Sequence, residues 1–461
     1  MSLLALSGTN SVSGGYEIDN SLKIEPDNSE HLTKSQSNGN KTTWTCSFWF
    51  KRTELNDSEY PAFISASSSS WQTRIAIFND GRLWVDLGYG TSYYRNLTNL
   101  LLRDTSAWYH VVVAVDSTQG TASDRLNVYL NGELITSWNT QNYPAQNTEF
   151  KFFDSNHAMF IGTTTATDYR FAGYLAEMHV IDGTQLAQTD FGEFDDDSGI
   201  WKPKAYTGSY GSQGFYLDFS DAANLGDDAS GNGNNFTENN ITAADQSTDT
   251  PTNNFCTWNP LWVYASQPII SEGATKVRYS DSTDEGAKAT MGLTNGKWYW
   301  EAKPVGTIGS QYIGIQTDGD SNIASAANSL LNNYTMVINP TGRYYSYSGS
   351  LSESSAGQFT SLTTSDWLGI ALDMDSSTQT IKYYVNGSLI LTRDLISEMQ
   401  GQTVFPFLVN YENRSFDINF GGYTINTISS AAADANDYGT FEYAPPSGYY
   451  ALCTKNLAEF G

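Results

Sequence analysis

The chain is poor in cysteine, histidine and positive charge: 3 Cys, 4 His and 24 Lys plus Arg stand against 50 Asp plus Glu in 461 residues. Cys46, Cys256 and Cys453 are odd in number and far apart, which excludes a disulfide framework or a thiolate metal cage and implies reduced, buried thiols. His31, His110, His157 and His179 show no paired metal-ligand spacing. His110 and His179 lie inside apolar strands, where a hydrogen-bonded structural role is the expectation. The formal net charge is -26, with no basic stripe to offset it. Such a surface repels polyanions, so nucleic acid and anionic lipid are excluded as partners. Long apolar runs are missing too. Val111 to Val115 falls far short of the roughly 20 residues of a membrane helix. The start, Met1-Ser-Leu-Leu-Ala-Leu-Ser-Gly8, has no basic region, so a soluble product made in a cytoplasm is expected. No Ser-His-Asp set, phosphate-cradling glycine loop or zinc pattern is present.

What is present is aromatic and alternating. Aromatics are 14% and charged residues only 16%, which is the composition of a folded chain. One stretch occurs twice. Trp108-Tyr-His-Val-Val-Val-Ala-Val-Asp116 is followed by a polar turn and Arg125-Leu-Asn-Val-Tyr-Leu-Asn131-Gly132-Glu-Leu-Ile135. Downstream, Trp367-Leu-Gly-Ile-Ala-Leu-Asp373 is followed by a polar turn and Ile381-Lys-Tyr-Tyr-Val-Asn386-Gly387-Ser-Leu-Ile390. Asn-Gly tolerates the positive φ of a two-residue type I′ hairpin, so each copy predicts strand, turn, strand, hairpin, strand. Further strands are predicted at 16–24, 43–50, 62–65, 74–78, 83–87, 126–130, 159–162 and 174–181. Many short strands with Gly and Asn between them predict an all-β chain of two sandwiches in series.

Thr43-Trp-Thr-Cys-Ser-Phe-Trp-Phe50, the Trp108 strand, Val128-Tyr-Leu-Asn-Gly132 and Phe160-Ile-Gly162…Phe171-Ala-Gly-Tyr-Leu-Ala-Glu-Met-His-Val-Ile-Asp-Gly183 resemble the strand series of a laminin-G-like, concanavalin A-like jelly roll over residues 1–190. Lys297-Trp-Tyr-Trp-Glu-Ala302, the Trp367 strand and Phe416-Asp-Ile-Asn-Phe-Gly421 resemble a SPRY domain, a second concanavalin-like sandwich, over 256–422. Residues 191–255, rich in Asp, Gly and Asn, read as a partly extended connector. Its Trp201, Phe215, Phe219, Leu225, Phe236 and Ile241 nevertheless need burial. Residues 423–461 read as a C-terminal tail, with a short helical turn predicted over 429–435.

Phe191-Gly-Glu-Phe-Asp-Asp-Asp-Ser-Gly-Ile-Trp-Lys-Pro-Lys204, Asp228-Ala-Ser-Gly-Asn-Gly-Asn-Asn-Phe-Thr237, Asp249-Thr-Pro-Thr-Asn-Asn-Phe255 and Ala444-Pro-Pro-Ser-Gly-Tyr449 are similar to segments of tailed-bacteriophage virion proteins. That resemblance implies an exterior virion component assembled in the host cytoplasm: a tail fibre or receptor-binding part, or a head decoration or fibre. It also implies other virion proteins as partners and a homo-oligomer.

Glu193, Asp195 and Asp197 alternate as the carboxylates of laminarinase-type hydrolases do. A retaining pair needs a spacing of about 5 to 5.5 Å in a cleft, which this Gly-flanked segment does not build. No catalytic residue is assigned. Calcium suits oxygen-rich turns: Asp116, Asp124 and Asp168 are rim candidates by analogy with laminin-G-like sandwiches, and Asp227 and Asp228 lie in an oxygen-dense loop. Solvated turns share this composition, so both readings stand. Sugars stack on exposed aromatic faces, for which Trp71, Tyr89, Tyr93 and Tyr94, and Tyr344, Tyr345 and Tyr347, are the candidates. Adjacent tyrosines on a strand face opposite ways, so at least one of each pair is expected in the core. Host-surface glycans are the expected ligand, a purely structural decoration or shaft role the alternative, and a glycan hydrolase the least favoured reading.

Overall fold

The computed structural model describes residues 15–55, 60–67, 72–89, 92–165, 169–262, 269–278, 284–318, 334–348, 350–411 and 414–461. Strand accounts for 43% of the described residues and helix for 4%, so the fold is all-β. Two compact units divide it, Met1–Asn253 and Asn254–Gly461.

The first unit begins with β1 (Ser21–Ile24), β2 (His31–Ser35), β3 (Thr43–Arg52), β4 (Ala62–Ser67), β5 (Thr73–Ile77), β6 (Arg82–Tyr89) and β7 (Ser92–Leu101). It continues with β8 (Trp108–Asp116), β9 (Leu126–Leu130), β10 (Glu133–Leu134), β11 (Trp138–Thr140), β12 (Ala158–Ile161) and β13 (Gly173–Asp182). Its last strands are β14 (Gly192–Phe194), β15 (Trp201–Pro203), β16 (Phe215–Leu217), β17 (Thr237–Asn239) and β18 (Gln246–Ser247). One sheet runs β10-β9-β8-β3-β13-β1-β18, the other β11-β7-β6-β5-β4-β12-β2-β17. Inward residues alternate along β3, where Trp44, Cys46, Phe48 and Phe50 face Ile75 and Ile77 of β5 and Val85 of β6 in one core. The strand predicted over 16–24 is regular only from Ser21. The alternation of β7 is hidden by its polar residues, and that strand went unpredicted.

Residues 191–253, expected as a connector, fold onto the first sandwich and belong to its unit. β16 pairs with β13, β17 with β2 and β18 with β1. Phe215, Phe219, Leu225, Phe236 and Ile241 enter the first core, each contributing about 1.5–3 kcal/mol by removal from water. Two buried ion pairs fasten the end of this strap: Lys51 Nζ to Asp249 Oδ2 at 2.7 Å and Lys23 Nζ to Asp245 Oδ1 at 2.7 Å. The indole of Trp108 donates to the other Asp249 oxygen at 3.0 Å.

The second unit opens with β19 (Ile269–Ser271), β20 (Lys276–Arg278), β21 (Asp284–Lys288), β22 (Lys297–Val305), β23 (Tyr312–Thr317), β24 (Thr335–Asn339) and β25 (Arg343–Tyr347). Next come β26 (Leu351–Glu353), β27 (Leu368–Asp373), β28 (Thr380–Val385), β29 (Ser388–Asp394), β30 (Val404–Tyr411), β31 (Ser415–Asn419), β32 (Tyr450–Ala451) and the helix α1 (Thr454–Phe460). Its sheets run β19-β20-β31-β22-β27-β28-β29 and β21-β30-β23-β24-β25-β26, with Trp298 and Trp300 of β22 central in the core between them. The tail also returns to its sandwich, where β32 lies parallel to β22. No helix forms over 429–435: Ala432 bridges Phe441 and the buried Asp434 carboxylate holds the turn by accepting from the N–H groups of Asn436, Tyr438 and Ala451. The helix forms later, at Thr454–Phe460.

Candidate functional site

In each unit the strap covers the outer face of one sheet, and the other sheet carries a tyrosine, arginine and carboxylate group on its own outer face. In the first unit that group sits on β5, β6 and β7. Leu83, Val85 and Leu87 point inward, which turns Trp84 and Asp86 outward beside Arg74 and Arg95. Asp86 is fully buried, and its carboxylate pairs with Arg74 Nε at 3.1 Å and accepts the Tyr93 hydroxyl at 2.5 Å. Tyr93 in turn accepts from Arg95 Nη2 at 2.6 Å. Arg74 and Arg95 lie over the Trp84 ring, 3.7 and 4.7 Å from its centroid. Burial, then the Asp86 charge, pushes the Tyr93 phenol up to about 12. Trp84 is closed off, so the reachable parts are the half-buried Tyr93 ring and the Arg95 side chain, 38% exposed.

In the second unit the counterpart lies on β25 and β26. Tyr345 donates to Glu353 Oε1 at 3.2 Å, Arg343 pairs with the same carboxylate, and Tyr312 packs edge-on to Tyr345. Tyr347 shares this outer cluster with Val337, Phe407 and Val409.

The structure therefore gathers Tyr93 on one face and Tyr345 with Tyr347 on another. Tyr94 and Tyr344 turn inward against the two cores, with Arg393 over the Tyr344 ring at 5.2 Å. Trp71 and Asp168 lie outside the described residues, as does the side chain of Tyr89 in β6. Sequence reading missed Arg74, Trp84, Asp86, Arg95, Arg343 and Glu353. The strand predicted over 83–87 contains Trp84 and Asp86, but their partners on β5 and β7 depend on register.

The acidic candidates are held in turns. Asp195 Oδ1 accepts from the N–H and hydroxyl of Ser198, at 2.9 and 2.8 Å, and these bonds hold its carboxyl down at about 2. A general acid needs the opposite shift. Glu193 pairs with Lys202 at 3.4 Å on the β14–β15 ribbon. Asp116 accepts from Thr43, Thr118 and Gln119. Asp124 sits in a 3-10 turn, and the buried Asp228 caps the N–H groups of Tyr216, Ser230 and Asn234 beside Asp227. Among the described residues no three His, Cys, Asp or Glu side chains are placed to hold a metal ion together.

Two histidine networks lie under the first strap. Ser47 Oγ and His110 Nε2 are 2.8 Å apart, the spacing of a nucleophile and its base. The Trp201 indole, which can only donate, meets His110 Nδ1 at 3.0 Å. His110 must therefore carry its proton on Nε2 and donate to Ser47, the reverse of what activation requires. Burial, with His179 adding to it, pushes His110 down to about 3, so it stays neutral. His179 Nδ1 meets Tyr210 Oη at 2.9 Å and its ring stacks on Tyr216 at 4.3 Å, while Tyr16 and Tyr216 donate to the buried Glu177. Both histidines have the hydrogen-bonded places expected of them.

Residues 26–189 match the profile of the concanavalin A-like lectin/glucanases superfamily. No curated protein matches the chain. Among solved structures it is similar to a heptameric SAP-like pentraxin from Limulus polyphemus, at 18% identity and a TM-score of 0.28, covering 38% of this chain and 80% of that one. The TRIM65 PSpry domain is similar at 13% identity and 0.26, over 36% and 88% of the two chains. The LG1-3 region of the laminin alpha2 chain is similar at 8% identity and 0.31, over 87% and 63%. Residues 26–189 thus carry a laminin G-like, concanavalin A-like lectin-type fold, and the second unit repeats the plan of two facing sheets around one core. No helix among the described residues is long and apolar enough to cross a membrane.

Proposed function

We propose that this chain is a non-enzymatic binding protein on the exterior of a tailed-bacteriophage particle, whose open sheet faces engage host-surface glycans. The observation that carries the binding reading is the Tyr93–Arg95 ridge over the buried Asp86. A guanidinium offers paired donors to neighbouring sugar hydroxyls, and a phenol ring held in place gives a stacking face with little entropy left to lose. The lectin-type fold of 26–189 supports the same reading. The virion setting is supported by the likeness of the strap and tail segments to phage structural proteins. Display in many copies would turn weak single contacts into avidity.

Retention of the purified chain on immobilised host-envelope polysaccharide tests the reading. Tyr93→Ala and Arg95→Ala each lower affinity about tenfold, the effect of losing one good contact near 1.4 kcal/mol. No retention of the wild type removes the glycan reading, and absence of the chain from purified particles removes the virion reading. A purely structural role is favoured by one feature, the exposed Leu100, Leu101 and Leu134, at 47, 43 and 49%. Loss of particle assembly in a Leu100→Ser, Leu101→Ser variant that keeps glycan retention would select that role.

A further inference from the structure

Lys23, Glu30 and Asp245 meet inside the first unit at 1, 2 and 5% exposure. Lys23 Nζ lies 3.0 Å from both Glu30 oxygens and 2.7 Å from Asp245 Oδ1. The other Asp245 oxygen accepts the N–H of Thr242 at 2.7 Å and its hydroxyl at 3.1 Å. Glu30 is fixed in turn by the N–H of Glu25 at 2.7 Å and the amide of Asn28 at 2.9 Å. Backbone pairing holds both reactants in register. Lys23 lies on β1, and Ser21 and Leu22 pair with Ser247 and Gln246, immediately after Asp245.

We propose that Lys23 and Asp245 condense into an intramolecular isopeptide bond, with Glu30 as the proton relay. The Glu30 carboxylate takes a proton from the Lys23 ammonium and hands it to Asp245 Oδ1. The freed amine lone pair forms a bond to Asp245 Cγ, and the carbonyl electron pair moves onto Oδ2, where the two Thr242 donors stabilise it. Glu30 then carries a second amine proton to Oδ1. Collapse of the intermediate breaks the Cγ–Oδ1 bond and releases one water. Nothing is oxidised or reduced, and Glu30 ends as it began.

Two physical arguments favour the step. The reactants are held in place by the fold, which converts a bimolecular reaction into an intramolecular one. An ammonium and a carboxylate buried at high desolvation cost become a neutral amide. Burial also raises the Glu30 carboxyl above its ordinary value, towards the range where a relay both accepts and returns a proton. The bond would staple the strap to β1 in a chain whose cysteines are free and buried.

Intact mass of the denatured full-length chain tests the proposal. The wild type is expected one water lighter than its sequence, with a protease-resistant branched peptide joining the Lys23 and Asp245 segments. Glu30→Gln is expected at full sequence mass while its unfolding stays cooperative. Lys23→Arg, which keeps the charge, is expected at full mass as well. A folded wild type at full sequence mass after prolonged incubation at neutral pH overturns the bond. A Glu30→Gln chain that still loses water at the same two residues overturns the relay.

Discussion

The Asn-Gly hairpin of the first unit and that of the second are built alike and capped alike. Asn131 and Asn386 both have φ +48, and Gly132 and Gly387 follow at +83 and +77. Each asparagine returns two bonds to the preceding strand. Asn131 bonds the N–H and carbonyl of His110, and Asn386 those of Trp367. Each glycine then lies under an aromatic ring from the segment after the sandwich, Trp201 in one unit and Tyr443 in the other. A buried glutamate on the outer face of the strapped sheet takes donors from that same segment. Glu177 accepts the Tyr216 hydroxyl, and Glu301 accepts the N–H groups of Glu442 and Tyr443 at 2.8 Å. The shared plan is a sandwich with the outer face of one sheet closed by its own C-terminal strap and that of the other, among the described residues, left uncovered by it.

The difference lies in what holds each strap. The first is fastened by buried ion pairs and by neutral histidines, the second by backbone N–H groups on one carboxyl. Opposite pH responses follow. His110, held down at about 3 from 6.5, favours the folded state above pH 6.5, and that contribution of roughly 5 kcal/mol is lost as pH falls from 6.5 to 3. Burial, against the four donors that favour its ionised form, pushes Glu301 up to about 7 from 4.5. Its contribution, about 3 kcal/mol, is present below pH 4.5 and is lost as pH rises through 7. Denaturant titrations from pH 3 to 9 should resolve the two slopes. His110→Gln should flatten only the acid side and Glu301→Gln only the neutral one, and equal slopes in both variants would break the comparison.

Removing one partner of a buried pair is the next largest effect. Lys51→Met leaves the buried Asp249 carboxylate without its ammonium and should cost the first unit about 4 kcal/mol, with protease cleavage appearing between residues 191 and 253 while the second unit stays intact. Gly132→Ala places a Cβ 2.3 Å from the Trp201 ring, Gly387→Ala one 2.8 Å from Tyr443. Both add left-handed strain of about 1 kcal/mol. The first should destabilise more, since Trp201 is buried and anchored on His110. The smallest and most diagnostic effect is parity. Asn131→Ala and Asn386→Ala should each cost about 1–2 kcal/mol, measured by unit-resolved hydrogen exchange, because each removes the same strand bond and the same tolerance of positive φ.

Much of this plan was written in local chemistry. Asn-Gly after an alternating strand placed both hairpins, and the rule that adjacent tyrosines face opposite ways held for Tyr93 and Tyr94, although only the structure shows that Tyr94 is the inward one. The strap was legible only as a demand: Phe215, Phe219 and Phe236 had to be buried, and nothing local said where. Its fasteners join residues far apart in sequence, such as Lys51 with Asp249, so no window contains both. Glu177 was hidden for another reason. It stands at φ +50 in the bulge of β13 between Ala176 and His179, which turns Glu177 and His179 to the outer face, where the phase set by the inward Leu175 would have pointed both into the core. The Tyr93 ridge was half visible, since the ring was a candidate while nothing local singled out Asp86 and Arg95.

Hydrogen–deuterium exchange of the full chain, with and without oligosaccharides from the host-envelope polysaccharide, tests the open-face account most directly. Added sugar should slow exchange at residues 92–96 on β7, at 343–347 on β25 and at 351–353 on β26, and leave the strap residues 191–217 unchanged. Protection confined to the strap, or none at saturating sugar, would contradict it.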